Sequence, residues 1–207
     1  MIVQPLEAAL PATAEIVPLT VAQYHRMIEA GILAAGEPIE LLDGLLVHKD
    51  RGPGMTVNPI HASVLDQLTT LLAPVLTKLS AYLRVQNPIT IPPRHEPEPD
   101  AAIVRGRPGD YARKHPGPAD VSCVIEIADT SLERDRTVKR RIYAGAGIRQ
   151  YVLIDIAGRR VELYEEPDAA SEGYRNRAAL RGDDPVPFLL PDGGRHEVRA
   201  QEILPAT

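Results

Sequence analysis

Asp100 and Glu126 are the acids in this chain whose settings most suggest chemistry. Each sits in a strand-like apolar run: Pro99-Asp100-Ala101-Ala102-Ile103-Val104 and Val121-Ser122-Cys123-Val124-Ile125-Glu126-Ile127. An ionised carboxylate beside a strand core is costly unless a cation meets it. Lys139, in a basic stretch after the second run, can supply one cation, and a divalent metal can supply another. Mg²⁺ accepts one or two carboxylates, keeps several waters and takes phosphate oxygens. The three residues therefore suit metal-assisted cleavage of a phosphodiester. Plainer readings stand beside this one. Asp100 could shape a turn after Pro99, and Glu126 could pair with a helix arginine. Lys139 could form an exposed ion pair with Asp135, four residues earlier.

The elements that must position these residues are legible in outline. Residues 1–18 read as a loose extension rich in Ala and Pro, and residues 19–207 as one domain. Thr20 caps a predicted helix to about Ala30, stopped by Gly31. Asp43-Gly44 between the apolar runs Ile39–Leu42 and Leu45–Val47 is a hairpin signal. Arg51 to Met55 reads as a Gly/Pro loop. Asn58-Pro59 opens a helix whose Val64, Leu68, Leu71, Leu72, Val75 and Leu79 recur at helical spacing. Pro74 is expected to kink or break it.

Strands are expected near Tyr82–Val85 and Asn87–Ile91, then in the two acidic runs. Alternation along the second run puts Val121, Cys123, Ile125 and Ile127 on one face and Ser122, Val124 and Glu126 on the other. Arg105 to Ala119 is a polar loop. Thr130-x-x-Glu133 fits a capping box for a helix to about Ala144, ended by Gly145 and Gly147. Gln150–Ile156 and Arg160–Tyr164 form a second hairpin, and the remainder reads as turns and short strands on the sheet edge. The order gives an α/β domain with a mixed sheet and helices on its faces.

Composition narrows the class. The chain has 207 residues, 44% hydrophobic and 25% charged, as in ordinary soluble globular proteins. No apolar run approaches the roughly 20 residues of a membrane-spanning helix, and the first residues lack the basic start of a signal peptide. The lone Cys123 excludes an internal disulfide and suits a reducing cytoplasm. The net charge of −5 argues against tight non-specific binding to nucleic acid. Positive charge is nevertheless gathered in residues 133–149, where Arg134, Arg136 and Arg140 could contact phosphates, unless they form only a wet helix face. The histidines have no zinc spacing, and no nucleophilic triad stands out.

Pro99-Asp100 followed by Glu126-Ile127-Ala128 resembles the PD-(D/E)XK nuclease motif, with Ala128 where lysine is expected. The helix Asp135-Arg136-Thr137-Val138-Lys139-Arg140-Arg141, then Tyr151-Val152-Leu153-Ile154-Asp155, resembles a variant whose lysine has migrated from strand to helix. Together with Thr20–Tyr24, the Glu40–Gly44 hairpin and the His61 helix, the pattern resembles the Uma family (second Uma type) of restriction endonucleases over about residues 19–205. The resemblance implies a restriction-endonuclease-like mixed sheet flanked by helices, with an N-terminal helix and β-hairpin. It implies Asp100 and Glu126 as ligands of Mg²⁺ or Mn²⁺ and Lys139 as the catalytic lysine. Glu40 would be an acid on an accessory element, and His61 a weaker candidate. Ala128-Asp129-Thr130 departs from the family's usual Leu-Ser-Pro.

The function expected is a divalent-metal-dependent endodeoxyribonuclease acting on DNA, with a homodimer cutting both strands. The alternative is a non-catalytic nucleic-acid-binding or regulatory module on the same fold.

Overall fold

The structure, a computed structural model, describes residues 16–34, 36–49, 58–129 and 131–204. Most of the expected N-terminal extension, the Gly/Pro loop at 51–55 and the cap residue Thr130 lie outside these residues.

Helix α1 (Val21–Glu29) begins at Thr20, whose side chain accepts the Gln23 amide while Gln23 returns a bond to the Thr20 amide. This reciprocal pair satisfies two donors that a helix start leaves open. Strands β1 (Ile39–Leu42) and β2 (Leu45–His48) form the expected hairpin. Asp43 and Gly44 have φ of 53° and 76°, the left-handed pair of a tight hairpin turn.

Helix α2 (Pro59–Lys78) starts at Asn58, whose side chain accepts the Ile60 amide at 3.0 Å. It runs unbroken through Pro74, against expectation. Pro74 is exposed, so the carbonyl that loses its partner can meet water. The opposite stripe, Leu65, Leu68, Leu72 and Leu76, is buried and holds the helix to the sheet. Each such leucine stabilises the fold by about 2 kcal/mol relative to exposure.

The main sheet has the order β3 (Ala81–Val85), β4 (Ala101–Arg105), β5 (Val121–Ala128), β6 (Gln150–Asp155), β7 (Arg160–Asp168) and β8 (Gly173–Leu180). Only β5 and β6 are parallel. Their crossover is a helical segment, α3, made of Leu132–Arg134, a wide π turn at Asp135–Lys139, and Arg140–Gly145. Both sheet faces are covered, so β5 reads as a nearly continuous apolar run and all eight of its residues are buried. On one face α2 packs against Ile103, Cys123, Ile125 and Val152. On the other, Ile142 and Tyr143 of α3 meet Ala102, Val124 and Leu153.

Three further expectations change. Asn87–Ile91 is not a strand. Pro88 interrupts it, Pro92-Pro93 follow it, and its amides bond to loop carbonyls, Ile89 to Pro97 and Thr90 to Pro116. The alternation of β5 breaks at Ser122. Ile103 pairs with Cys123 but Val104 pairs with Val121, so Val121 joins the face of Val124. Ser122 is the extra residue of a β-bulge, its hydroxyl donating to Leu189 O at 2.8 Å. Finally, the C-terminal region does more than trim an edge. After β8, strands β9 (Pro185–Leu189) and β10 (Arg195–Arg199) pair apart from the main sheet. Their Val186, Phe188 and Val198, with Ile203 of α4 (Ala200–Ile203), complete the core under α2. Among the described residues no helix is long and apolar enough to cross a membrane.

Candidate active site

Asp100 immediately precedes β4, and Ala101 pairs with Ile125 on β5. One step further along this antiparallel register sets Asp100 opposite Glu126, on the same face. The backbone ties them: the Ile127 amide donates to Asp100 Oδ2 at 2.8 Å. His61, in the first turns of α2, places Nε2 3.0 Å from Asp100 Oδ1. Both Asp100 oxygens are thus engaged. Burial is the largest influence on this carboxyl and acts to raise its pKa. The His61 hydrogen bond and charge, the Ile127 amide and Lys139 outweigh it, holding Asp100 below the usual carboxylate range.

Glu126 is 3% exposed, and Lys139 is also 3% exposed. Lys139 Nζ lies 2.9 Å from Glu126 Oε1 and 3.2 Å from Glu40 Oε2. The exposed Asp135–Lys139 pair is therefore ruled out, because both side chains turn inward. Tyr143, one turn after Lys139, donates its hydroxyl to the same Glu126 oxygen at 2.8 Å. Burial drives the Glu126 pKa well above normal. Lys139 opposes that shift, and the negative neighbours Asp135, Asp100 and Glu40 add to it. For Lys139 burial works toward neutrality, but Glu126, Glu40 and Asp135 prevail and its pKa is raised. The amine stays protonated.

The lysine lies on the π turn of α3. The Arg140 amide bonds Asp135 O, five residues back. The Tyr151 hydroxyl takes up the same carbonyl at 3.0 Å. Asp135 and Lys139 then share one inward face, with Ser131 held against the Asp135 carboxylate. Glu40 arrives from β1, where Glu40 and Leu42 point to the α3 side and Leu41 toward α1. Its hairpin is docked on the Pro-rich segment by Glu96 N to Leu41 O at 2.8 Å and Gly44 N to Arg94 O at 2.8 Å. The Glu98 amide donates to Glu40 Oε2 at 3.0 Å.

The donor chemistry fits a hard cation. Glu126 and Glu40 contact one ammonium, Asp135 and Asp100 feel its charge, and Asp135 Oδ1 is buried with no hydrogen-bond partner. Among the described residues no group of three or more acid, histidine or cysteine side chains is gathered to hold a metal. Two carboxylates completed by water and phosphate are enough for Mg²⁺.

The three arginines expected to touch nucleic acid have protein contacts. Arg136 donates to Glu162 Oε1 at 2.6 Å and to Asp155 Oδ2 at 3.0 Å. Arg134 Nη1 donates to His48 O at 3.2 Å, and the Arg140 guanidinium lies 5.6 Å from the Tyr164 ring centroid. Asp129, the departure after β5, accepts a bond from Asn58 at 2.5 Å. Sequence reasoning missed Tyr143 and the inward role of Asp135. Their only signal was the helical spacing 135, 139, 143.

No curated protein matches the chain. Among solved structures it is similar to one titled as a putative nuclease belonging to DUF820 from Anabaena variabilis. The identity is 16% and the TM-score 0.66, over 90% of this chain and 97% of that one. This likeness extends the shared architecture to the sheet and its flanking helices. A family model described as "Putative restriction endonuclease" matches residues 21–194. With the model spanning nearly all the described elements, the chain belongs to the Uma2 family.

Proposed function

We propose that this protein is a Mg²⁺- or Mn²⁺-dependent endodeoxyribonuclease. The observation that carries the reading is the buried Lys139 ammonium, 2.9 Å from Glu126 and 3.2 Å from Glu40, whose charge also reaches Asp100. Asp100 and Glu126 would hold the cation. When bound, it would acidify water and neutralise charge on the phosphate.

The protein's own groups do the rest. His61 and the Ile127 amide orient Asp100. Tyr143 holds Glu126 in place. Lys139, kept protonated by the acids around it, donates to the attacking water or to the phosphate oxygen that gains charge. Glu40 anchors that amine from the hairpin side. DNA is the substrate, and a homodimer would bring two such sites to two strands. The lone buried Cys123 suits a reducing cytoplasm.

A second reading keeps the fold without turnover. It is favoured by the full engagement of Asp100, whose two oxygens already have protein partners. It predicts no heat on titrating Mn²⁺ into the folded protein.

The test is relaxation of supercoiled plasmid in Mg²⁺ by wild type and Glu126→Ala, both checked for folding by circular dichroism. The proposal expects at least a hundredfold loss, on the order of removing one principal electrostatic group. Equal cutting by the two proteins ends the catalytic assignment.

A further inference from the structure

A second concave site lies between α1 and the loop after β4. It is a cavity of about 660 Å³ lined by His25, Thr90, Pro92, residues 111–115, Gly117 and Pro118. No acid lines it, although the whole chain carries a net charge of −5. Arg113 and Lys114 are exposed on its wall, and among the described residues neither has an ion-pair or hydrogen-bond partner. That contrasts with α3, where Arg136 is bound to Glu162 and Asp155 and Arg141 to Asp43 and Glu172. Side-chain charge without an internal partner sits on the loop.

The wall is pinned. The Thr90 amide donates to Pro116 O at 3.0 Å, and Gly117 N to Asp120 Oδ2 at 2.9 Å. The Arg84 guanidinium donates to His115 Nδ1 at 2.9 Å. Burial and the Arg84 charge lower the His115 pKa, so that ring is neutral and carries its proton on Nε2. His25 donates from Nε2 to Glu96 Oε1 at 2.7 Å, and Thr90 to Glu96 Oε2 at 2.7 Å. The Tyr111 ring packs at 6.2 Å from that of Tyr82, its hydroxyl fixed to Arg105 O at 2.9 Å. The cavity therefore offers two unpaired cations, a fixed aromatic ring and the Nε2 donor of His115. These are the parts of a site for a nucleotide in an unpaired strand.

Size narrows the ligand further. A space of about 660 Å³ can take in one nucleotide and cannot enclose a duplex. The cavity also shares a backbone segment with the candidate active site. Glu96, between His25 and Thr90, lies two residues before Glu98, whose amide is held by Glu40.

We propose that this cavity binds one unpaired nucleotide of a nucleic-acid strand, its phosphate on Arg113 and Lys114 and its base against Tyr111. The proposal rests on the nuclease reading for its biological setting and names the form of nucleic acid that the protein engages: one with a single-stranded or unwound segment.

The experiment is fluorescence anisotropy with a short labelled single-stranded DNA oligonucleotide and the duplex of the same sequence, in EDTA so that nothing is cut. Wild type is compared with Arg113→Ala/Lys114→Ala and with Lys78→Ala/Arg181→Ala, which loses equal charge from other exposed positions. We expect the single strand to bind more tightly than the duplex. The loop variant should lose about tenfold in affinity, with a salt slope shallower by about 1.4 for two lost phosphate contacts. The remote variant should keep both values. Arg113→Gln/Lys114→Gln repeats the measurement should the alanine pair melt early. Unchanged affinity and slope in the loop variants overturns the proposal, as does equal or tighter duplex binding through the same two residues. Failure of plasmid cutting with the loop dependence intact defeats the nuclease reading and leaves this site standing.

Discussion

Lys139 Nζ lies 2.9 Å from Glu126 Oε1, although the lysine comes from a helix and the glutamate from a fully buried strand. Ala128, where the sequence resemblance leads one to expect a lysine, is buried in the core. The amine has been supplied from α3 instead, and the interior around it has been built of acids. An ammonium in that setting holds the fold together as well as serving any chemistry.

Replacing it should therefore be costly. Lys139→Met removes the cation that, among the described residues, faces buried Glu126 and Glu40. Loss of one partner from a buried ion pair destabilises by about 3–5 kcal/mol. Urea unfolding should show that loss, and Lys139→Met/Glu126→Gln should recover part of it. An unchanged midpoint in the single variant would mean the pair contributes nothing.

Tyr143→Phe deletes only the hydroxyl that donates to Glu126 at 2.8 Å. A hydrogen bond to a charged or partly charged acceptor in the interior contributes about 1.5–3 kcal/mol. The variant should unfold at lower urea with an unaltered slope. It should also bind Mn²⁺ more weakly in calorimetry, because Glu126 loses the group that fixes its rotamer. Retention of both properties would remove Tyr143 from the site.

Stability should fall with acid near the histidine range. Burial, the largest influence, and the Arg141 charge lower the His95 pKa, while Asp43 opposes them. Its Nδ1 must be unprotonated to accept the Asp43 amide at 3.0 Å. Below the ordinary value of 6.5 the unfolded chain takes up a proton that the folded protein resists, so unfolding becomes easier as pH drops. The effect is complete once pH passes below the depressed folded value. His115 shifts in the same direction, chiefly through burial and also through the Arg84 charge, and adds to it. Urea midpoints between pH 7 and 5 should decline less steeply in His95→Gln. Parallel curves would contradict this assignment.

Gly44→Ala tests the hairpin that delivers Glu40. Gly44 has φ of 76°, and an added Cβ would stand 2.6 Å from Leu19 O and 2.5 Å from Pro18 Cβ. The backbone must move, at about 1–3 kcal/mol. Thermal melting should register the loss, and plasmid cutting should drop with it because β1 shifts. Full activity at lowered melting temperature would detach Glu40 from the mechanism.

Local chemistry was legible in the sequence where a single motif decides the outcome. The Thr20–Gln23 cap, the Asp43-Gly44 turn and the Asn58-Pro59 helix start all form as their residue types require. An acid at the edge of each of two apolar runs pointed to a shared cation for the same reason: buried charge needs company. What escaped notice depends on distant partners. Arg136 reads as an open phosphate contact until Glu162 and Asp155 come to meet it from β7 and β6. Lys139 stands out in the sequence, but its spacing from Asp135 also suits an exposed pair on an ordinary helix, and nothing local announces a wide turn. The Ser122 bulge likewise owes its hydrogen bond to Leu189, far along the chain.

The wide turn at Asp135–Lys139 has a consequence for how this chain tolerates change. One surplus residue advances everything after it by about 100° around the helix axis. Deleting Arg136, Thr137 or Val138 would restore regular winding and rotate Lys139 relative to Asp135, with both of those side chains still present. Across Arg136, Thr137 and Val138, then, length is constrained, as identity is at Asp135 and Lys139.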